Sequence, residues 1–531
     1  MTVAAGVIRL SGLALPLVLF LVFLAVTMFT SVVAGPHSDM ISEFYIGDRR
    51  LSPMRYGMAM CGDYISAATL LGSTGLVCLT GYDGLLYLTG TAVGWIVILL
   101  LIAEPLRNSG RFTLGDTIAQ RIGAARQRWV RLAVGLCALV VSLFYLVAQL
   151  TASVALLAQF TGVPAPTARA FCTITVGTFV VFYVAVGGMP GTTFIQVAKT
   201  VLLVAVVAVA AGLVLSHFGW SGDRLLGTAA ANSGHGEAFL RPGLRFGAST
   251  TSRIDFFSLA LSMALGVAGL PHIVMRLLSP DSTRRLRGAV LWTIALVGTV
   301  CLAVGVLGLG AAAIVGTGTV KATDPSGNAA VLLLAQSVGG NLLTAAFSCL
   351  VFATVLSVAA GVTLAAASSL AHDVYVHAIR KGRVNNGQEL AAARTSAAVA
   401  GALGILLALL SRDWNASSLA FLAFAIAASS IVPTLVYTLF WPRFTARGAL
   451  FALYGGLGCA LLLVASGPLI SSTPTSLLPT AHFAWFPLQN PGVVSIPAGF
   501  LLGWLGTVTS PTTTDTAAYR EFEARALLGT E

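Results

Sequence analysis

Residues 54–80, MRYGMAMCGDYISAATLLGSTGLVCLT, constrain this chain more than any other stretch. The run is apolar and exceeds the roughly 20 residues that a helix needs to cross a bilayer. Yet it carries Gly62, Asp63, Ser66, Thr69, Gly72 and Gly75 at mid-depth. An ionisable group near the centre of a span is expensive, and glycine weakens the helix around it. A helix that only held the chain in lipid would not be written this way. The expectation is a broken helix lining a site, because irregular backbone at that depth is tolerated only beside protein or a water-filled cavity.

The rest of the chain fits a membrane setting. Only 9% of its 531 residues are charged, 57% are hydrophobic, and the mean hydropathy is +0.90. That composition implies an all-α polytopic membrane protein. The net charge of +11 does not point to nucleic acid, because the basic residues sit in short loops between apolar runs and act as topology determinants. Seven cysteines, at 61, 78, 137, 172, 301, 349 and 459, fall in or beside apolar segments with no CxxC pair, so neither structural disulfides nor zinc are expected.

Thirteen transmembrane helices are predicted, near 10–34, 54–80, 83–105, 129–160, 167–187, 191–216, 254–271, 288–316, 340–371, 391–411, 416–440, 447–468 and 491–508. The first is too long for the apolar core of a signal peptide and is read as a retained helix. Arg49–Arg55, Arg107–Arg131, Arg276–Arg287, Arg380–Arg394, Arg443–Arg447 and the tail fall on one side. The positive-inside rule makes that side cytoplasmic, with the N-terminus outside and the C-terminus inside a plasma membrane. Loops 217–253 and 469–490 are then outside, as lids or plain connectors. The seventh span is short and interrupted by Gly266, Gly269 and Pro271. Paired interrupted spans point to an inverted-repeat transporter, here 54–216 (spans 2–6) and 254–440 (spans 7–11). Residues 1–53 then form an extra N-terminal helix and loop, 441–508 two further spans, and 509–531 a cytoplasmic tail.

Several strings resemble the sodium/solute symporter family, in particular its acetate and short-chain monocarboxylate branch. They are SEFYIGDRRLSP, GDYISAATLLGSTG, GYDGLLYLTGTAVGW, LRNSGRFTLGDTIAQR, GLPHIVMRLLSP, FATVLSVAAGVTLAAASSLAHDVY and FPLQNPGVVSIPAGF, spanning about 42–508. The resemblance implies a LeuT-like five-plus-five inverted-repeat core with extra flanking helices, and cation-coupled uptake of a small monocarboxylate. It implies a sodium ion between the break in span 2 and span 9, held by the carbonyls of Gly62, Ile65 and Thr354 and the hydroxyl of Ser357. The matching second hydroxyl position holds Val358, which offers no side-chain oxygen; Thr354 or Thr363 could compensate. A hydroxyl in an apolar helix otherwise bonds within its own helix.

Gln196 stands where many sodium-coupled members have an aspartate, and Lys199 follows one turn later. A lysine on this helix replaces sodium in some proton-coupled relatives of the fold; the competing reading is a cytoplasmic anchor that snorkels. Asp63 must sit in water, pair with a cation, carry a proton, or cap the helix that restarts after the break. For a small carboxylate, free N–H groups and hydroxyls at the breaks are needed, which nominates Ser66, Ala67 and Thr69 at the first and Gly266 and Gly269 at the second. Gly266 replaces the aromatic gate of sugar-transporting members, favouring a small substrate. His272, Arg276, His372 and Asp373 are expected at cytoplasmic helix ends, complementing the helix dipole or serving an inner gate. Arg107, Arg111 and Asp116 are read as loop packing.

The function expected is therefore a symporter for acetate-like monocarboxylates coupled to Na+, with H+ as the alternative ion. A membrane sensor is the rival class, but residues 509–531 are too few for an output domain. No HExxH, GxSxG or phosphate-cradling loop supports an enzyme. Membrane lipid and the small solute are the expected partners, with no nucleic acid and no obligate protein partner.

Overall fold

The structure is a computed structural model that describes residues 51–122, 124–161, 165–411, 416–472, 480–511 and 516–529, with 18–19, 21–33, 35, 41–47, 49, 476 and 478. The expected first span lies partly outside the described residues. In chain order the helices are α1 (Leu21–Val33), α2 (Ile41–Ile46), α3 (Pro53–Tyr64), α4 (Ala68–Thr80), α5 (Tyr82–Ser109), α6 (Leu114–Arg121), α7 (Ala124–Thr161) and α8 (Ala165–His217). They continue with α9 (Gly222–Asn232), α10 (Thr250–Gly269), α11 (Pro271–Leu278), α12 (Thr283–Val315), α13 (Thr317–Thr323) and α14 (Ala330–Ile379). The last are α15 (Asn386–Leu410), α16 (Ala416–Phe440), α17 (Ala446–Ala465), α18 (Gly492–Val508) and α19 (Thr516–Leu528). Among the described residues, nine helical stretches are long and apolar enough to cross a membrane, and α1, α4 and α18 are shorter apolar helices.

Local chemistry sets the boundaries. Ser52 caps α3 by accepting from the Arg55 N–H, and Pro53 supplies the first helical φ. Thr113 with Asp116, and Asn385 with Gln388, close capping boxes on α6 and α15. α8 and α14 each consist of two helices joined at a turn: Gly188 in α8 has φ 51° and Gly340 in α14 has φ 60°. An L side chain rarely adopts that backbone, so both turns require glycine. The Gly188 turn separates the predicted fifth and sixth spans.

Both predicted interruptions are present. After α3 the chain is extended at Ile65 (φ −71°, ψ 105°) before α4 resumes at Ala68. After α10 it is extended at Leu270 (φ −69°, ψ 119°), and Pro271 starts α11. The seventh span therefore does not end at 271 but restarts there. Around the breaks, α3 packs on α8 and α12, and α14 packs on α7 and α8. α14 and α16 are the most enclosed helices, whereas α15 presents most of its surface outward.

Candidate functional site

The first break frees main-chain oxygens, and the structure gives them a partner. Lys199 Nζ, on α8, donates to the Gly62 carbonyl at 2.7 Å and also to that of Ile65. Lys199 is fully buried, so it does not snorkel to an interface, and its ammonium fills the carbonyl pair expected for sodium. Gly62 is required for this approach, since a Cβ there would lie 2.6 Å from the Gln196 carbonyl.

The other expected sodium ligands turn inward on their own helix. Thr354 Oγ1 donates to the Leu350 carbonyl at 2.7 Å, and Ser357 Oγ donates to the Thr354 carbonyl at 3.1 Å. Val358 contributes only hydrocarbon to the core. Thr363 Oγ1 is buried with no partner among the described residues. A hard cation needs several oxygens at once, and in this structure Lys199 takes two of those expected to hold sodium.

Asp63 does not cap the restarting helix. That role belongs to Ser66, whose Oγ accepts from the Thr69 N–H at 3.3 Å and lies 3.4 Å from the Thr69 hydroxyl. Asp63 instead accepts from Arg276 Nε and from Gln196 Nε2, each at 2.5 Å. Arg276 also donates to the hydroxyls of Thr193 and Thr192. Gln196 Nε2 reaches the Ser357 carbonyl at 2.6 Å, while its Oε1 is buried without a partner among the described residues. Asp63, Gln196, Lys199 and Arg276 thus form one buried cluster joining α3, α8 and α11 to the neighbouring α14. Gly361 of α14 closes it from the far side, where any Cβ would collide with the Asp63 carboxylate.

Arg276 as the partner of Asp63 was not foreseen. The available signal was complementary charge: one carboxylate after the first break, one guanidinium just after the second. His272 was placed at a helix C-terminal end, but α11 begins at Pro271, so His272 is in its first turn. Its ring lies 5.4 Å from that of Tyr145, whose hydroxyl faces Ser66.

The nominated substrate residues have distinct settings. Ser66 and Ala67 are buried and Thr69 is half-buried. Gly266 and Gly269 are packing positions: a Cβ would lie 2.5 Å from the Phe424 carbonyl and 2.8 Å from that of Ala427, so glycine lets α10 close on α16. A cavity of about 300 Å³ leads toward this region past Gly72, Ser73, Tyr87, Arg245, Asn328 and Phe421. Tyr87 and Phe421 meet in its lining with ring centroids 5.4 Å apart. Asp83 shapes its wall by accepting from the N–H groups of Gly243, Arg245 and Phe246 at 2.8, 2.7 and 3.1 Å.

The face bearing α6 is held by a second charged network. Arg131 of α7 bridges Asp116 at 2.9 Å and Asp373 at 2.8 Å, and His372 contacts Asp116 at 3.0 Å and Glu389 at 2.7 Å. Asp373 also accepts from Thr113 and Ser369 at 3.0 Å each. His372 and Asp373 therefore tie α14 to α6, α7 and α15 rather than decorating a helix end. Burial alone raises the Asp116 carboxyl, but the His372 hydrogen bond and charge, with Arg131 and the Phe112 N–H, hold it well below the usual carboxylate range. Arg107 Nε donates to the Pro280 carbonyl at 2.7 Å, which is loop packing as expected.

Paired broken helices around a buried polar cluster are the arrangement of a membrane carrier. Residues 44–456 match the model of the sodium:solute symporter family, and the chain belongs to that family. It is 41% identical over 521 residues to the monocarboxylic acid transporter of Corynebacterium glutamicum, covering 96% of this chain and 94% of that one. It is 38% identical over 514 residues to the uncharacterized symporter YwcA of Bacillus subtilis, covering 96% and 98%. In fold it is similar to a Na+-coupled sialic acid symporter in its substrate-bound outward-open state (TM-score 0.70, 14% identity, 94% and 99% covered). It is also similar to the nucleobase-cation symporter Mhp1 (TM-score 0.51, 14% identity, 91% and 98% covered). The protein is a multi-pass transporter with a LeuT-type fold.

Proposed function

We propose that this protein is a plasma-membrane symporter for acetate and similar short monocarboxylates in which Lys199 carries the coupling proton. The observation that carries the reading is the Lys199 ammonium seated on the Gly62 and Ile65 carbonyls. Charge-assisted hydrogen bonds are roughly twice as strong as neutral ones. A protonated Lys199 therefore holds the break between α3 and α4, and loss of the proton releases it. Movement of 54–216 against 254–440 then exchanges access between the two faces, with the N-terminus outside and the C-terminus cytoplasmic. The monocarboxylate substrate is supported by the name of the Corynebacterium glutamicum relative and by a site small enough for Gly266 to pack directly on α16.

Charge supports the same pairing of solutes. With all three groups ionised, Asp63, Lys199 and Arg276 carry one uncompensated positive charge in a buried cluster, and a bound monocarboxylate would balance it. Proton and anion then each favour the other's binding, as linkage requires. The sodium reading keeps the same carrier and draws its support from the family to which the chain belongs.

Uptake of labelled acetate into proteoliposomes decides between the ions. An imposed pH gradient is expected to drive accumulation above protein-free liposomes, a sodium gradient alone is not, and Lys199→Met is expected to abolish the pH response. Stimulation by sodium at constant pH, with Lys199→Met still coupled, would overturn the proton reading.

A further inference from the structure

The cluster around Asp63 accounts for coupling but leaves the substrate carboxylate without a dedicated donor. Several buried polar groups near the breaks lack a partner among the described residues, and one of them stands at the start of α11. His272 is 3% exposed, and its Nε2 has no hydrogen-bond partner among the described residues. Burying an unsatisfied polar nitrogen is costly, and such groups mark places where a missing partner binds. His272 also sits in the first turn of α11, where no side chain caps the helix. The free N–H groups and positive dipole end of that turn favour an anion.

The surroundings fit a carboxylate with a short tail. The His272 ring lies against Tyr145 at 5.4 Å, and the Tyr145 hydroxyl faces Ser66 at the first break. The imidazole thus faces the hydroxyl side of one interrupted helix from the start of the other. Phe424 stands 5.9 Å from Tyr145 and 6.3 Å from Tyr64, giving an apolar wall for a methyl or ethyl group. Arg276 is one turn further along α11, on the same face. Its guanidinium is already engaged by Asp63, Thr193 and Thr192, whereas the imidazole nitrogen is free to bond.

We propose that His272 Nε2–H, with the N–H groups opening α11 and the hydroxyls of Ser66 and Tyr145, binds the carboxylate of the transported monocarboxylate. This rests on the monocarboxylate reading above. His272 is then a specificity-determining residue that discriminates carboxylates from neutral solutes of the same size.

The test compares wild type, His272→Leu and His272→Gln in proteoliposomes, using the ion gradient that drives the wild type. A hydrogen bond to a charged group is lost in the leucine variant, so its KM for acetate should rise about tenfold to a hundredfold. Its maximal rate should stay within about threefold. Glutamine keeps an N–H donor and should restore much of the affinity. In parallel, acetate should raise the thermal unfolding temperature of wild type and His272→Gln, but not of His272→Leu. A wild-type KM in His272→Leu overturns the inference while leaving the monocarboxylate reading intact. So does equal loss of acetate stabilisation in both variants with a matching drop in their ligand-free stability, which is the signature of packing alone. Absence of transport and of stabilisation by acetate, propionate and pyruvate in the wild type overturns the monocarboxylate reading and the inference with it.

Discussion

The ion pair between Asp63 and Arg276 offers the most direct test of the cluster. Its side chains are 1% and 2% exposed, and Arg276 Nε lies 2.5 Å from Asp63 Oδ2. Removing one partner of a buried pair leaves a charge that the interior cannot solvate, at a cost of about 3–5 kcal/mol. Arg276→Gln leaves the carboxylate with Gln196 as its remaining direct donor. Asp63→Asn leaves the guanidinium with only the hydroxyls of Thr192 and Thr193. If the pair acted as two independent residues, the double variant would lose the sum, about 6–10 kcal/mol. Because each single variant strands its partner, the double variant should instead lose about 1–3 kcal/mol less than that sum, the usual range of coupling between contacting residues. Equilibrium unfolding of the purified protein in detergent, with fluorescence-detected size exclusion for expression, measures all four corners of the cycle. Strict additivity, or an Arg276→Gln variant within about 1 kcal/mol of wild type, would refute the buried pair as the tie between α3 and α11.

Three further outcomes are expected. Ser357→Ala should change the cation dependence of uptake less than about twofold, because its hydroxyl is bonded within α14; a tenfold loss would mean that the hydroxyl turns to an ion. Gly361→Ala forces a methyl onto the Asp63 carboxylate and should cost about 1–3 kcal/mol by overpacking, together with transport, as thermal unfolding and acetate uptake can show. Asp116→Asn removes the negative charge facing Arg131 and His372 and turns one of the two acceptor oxygens, which also serve the Phe112 N–H, into a donor. The folded-state Asp116 carboxyl is depressed, so its stabilisation is fully present above its unfolded value of about 3.9 and is lost only as pH falls through the folded one. The thermal-shift penalty of Asp116→Asn should therefore match at pH 5 and pH 6, both below the unfolded imidazole value of about 6.5 for its partner His372, and a penalty that vanished by pH 5 would contradict the assignment.

The breaks were legible in the sequence because their cause is local. Gly62, Asp63 and Ser66 in an apolar run, and Gly266, Gly269 and Pro271 in another, are signals that act within a few residues. The second interruption was also expected, but its span was bounded at 271; the extended Leu270 shows that Pro271 opens α11 and the span continues. What sequence could not supply was the side on which each polar group points. Lys199 lies near a predicted span end, where snorkelling is the ordinary fate, yet its rotation on α8 aims it at the first break. Ser357 and Thr354 are hydroxyls at ion-ligand spacing, yet each closes a bond on its own helix. Arg131 reads as one of many basic loop residues, although it bridges two buried carboxylates.

Gln196 carries these arguments one step further. An aspartate at that position would put two carboxylates beside Lys199 and Arg276 and make the buried cluster neutral with both cations charged. Glutamine keeps the geometry, since its amide donates to Asp63 and to the Ser357 carbonyl, but withdraws the second negative charge. A buried net charge is unstable unless something compensates it, so the cluster relaxes either by losing the Lys199 proton or by gaining an anion. Gln196→Asp supplies that compensation permanently and should weaken the mutual dependence of acetate and proton binding. Acetate affinity measured at several pH values reads this out directly: steep dependence in wild type and a flattened one in Gln196→Asp are expected. Equal slopes would mean that the net charge of the cluster does not set the coupling.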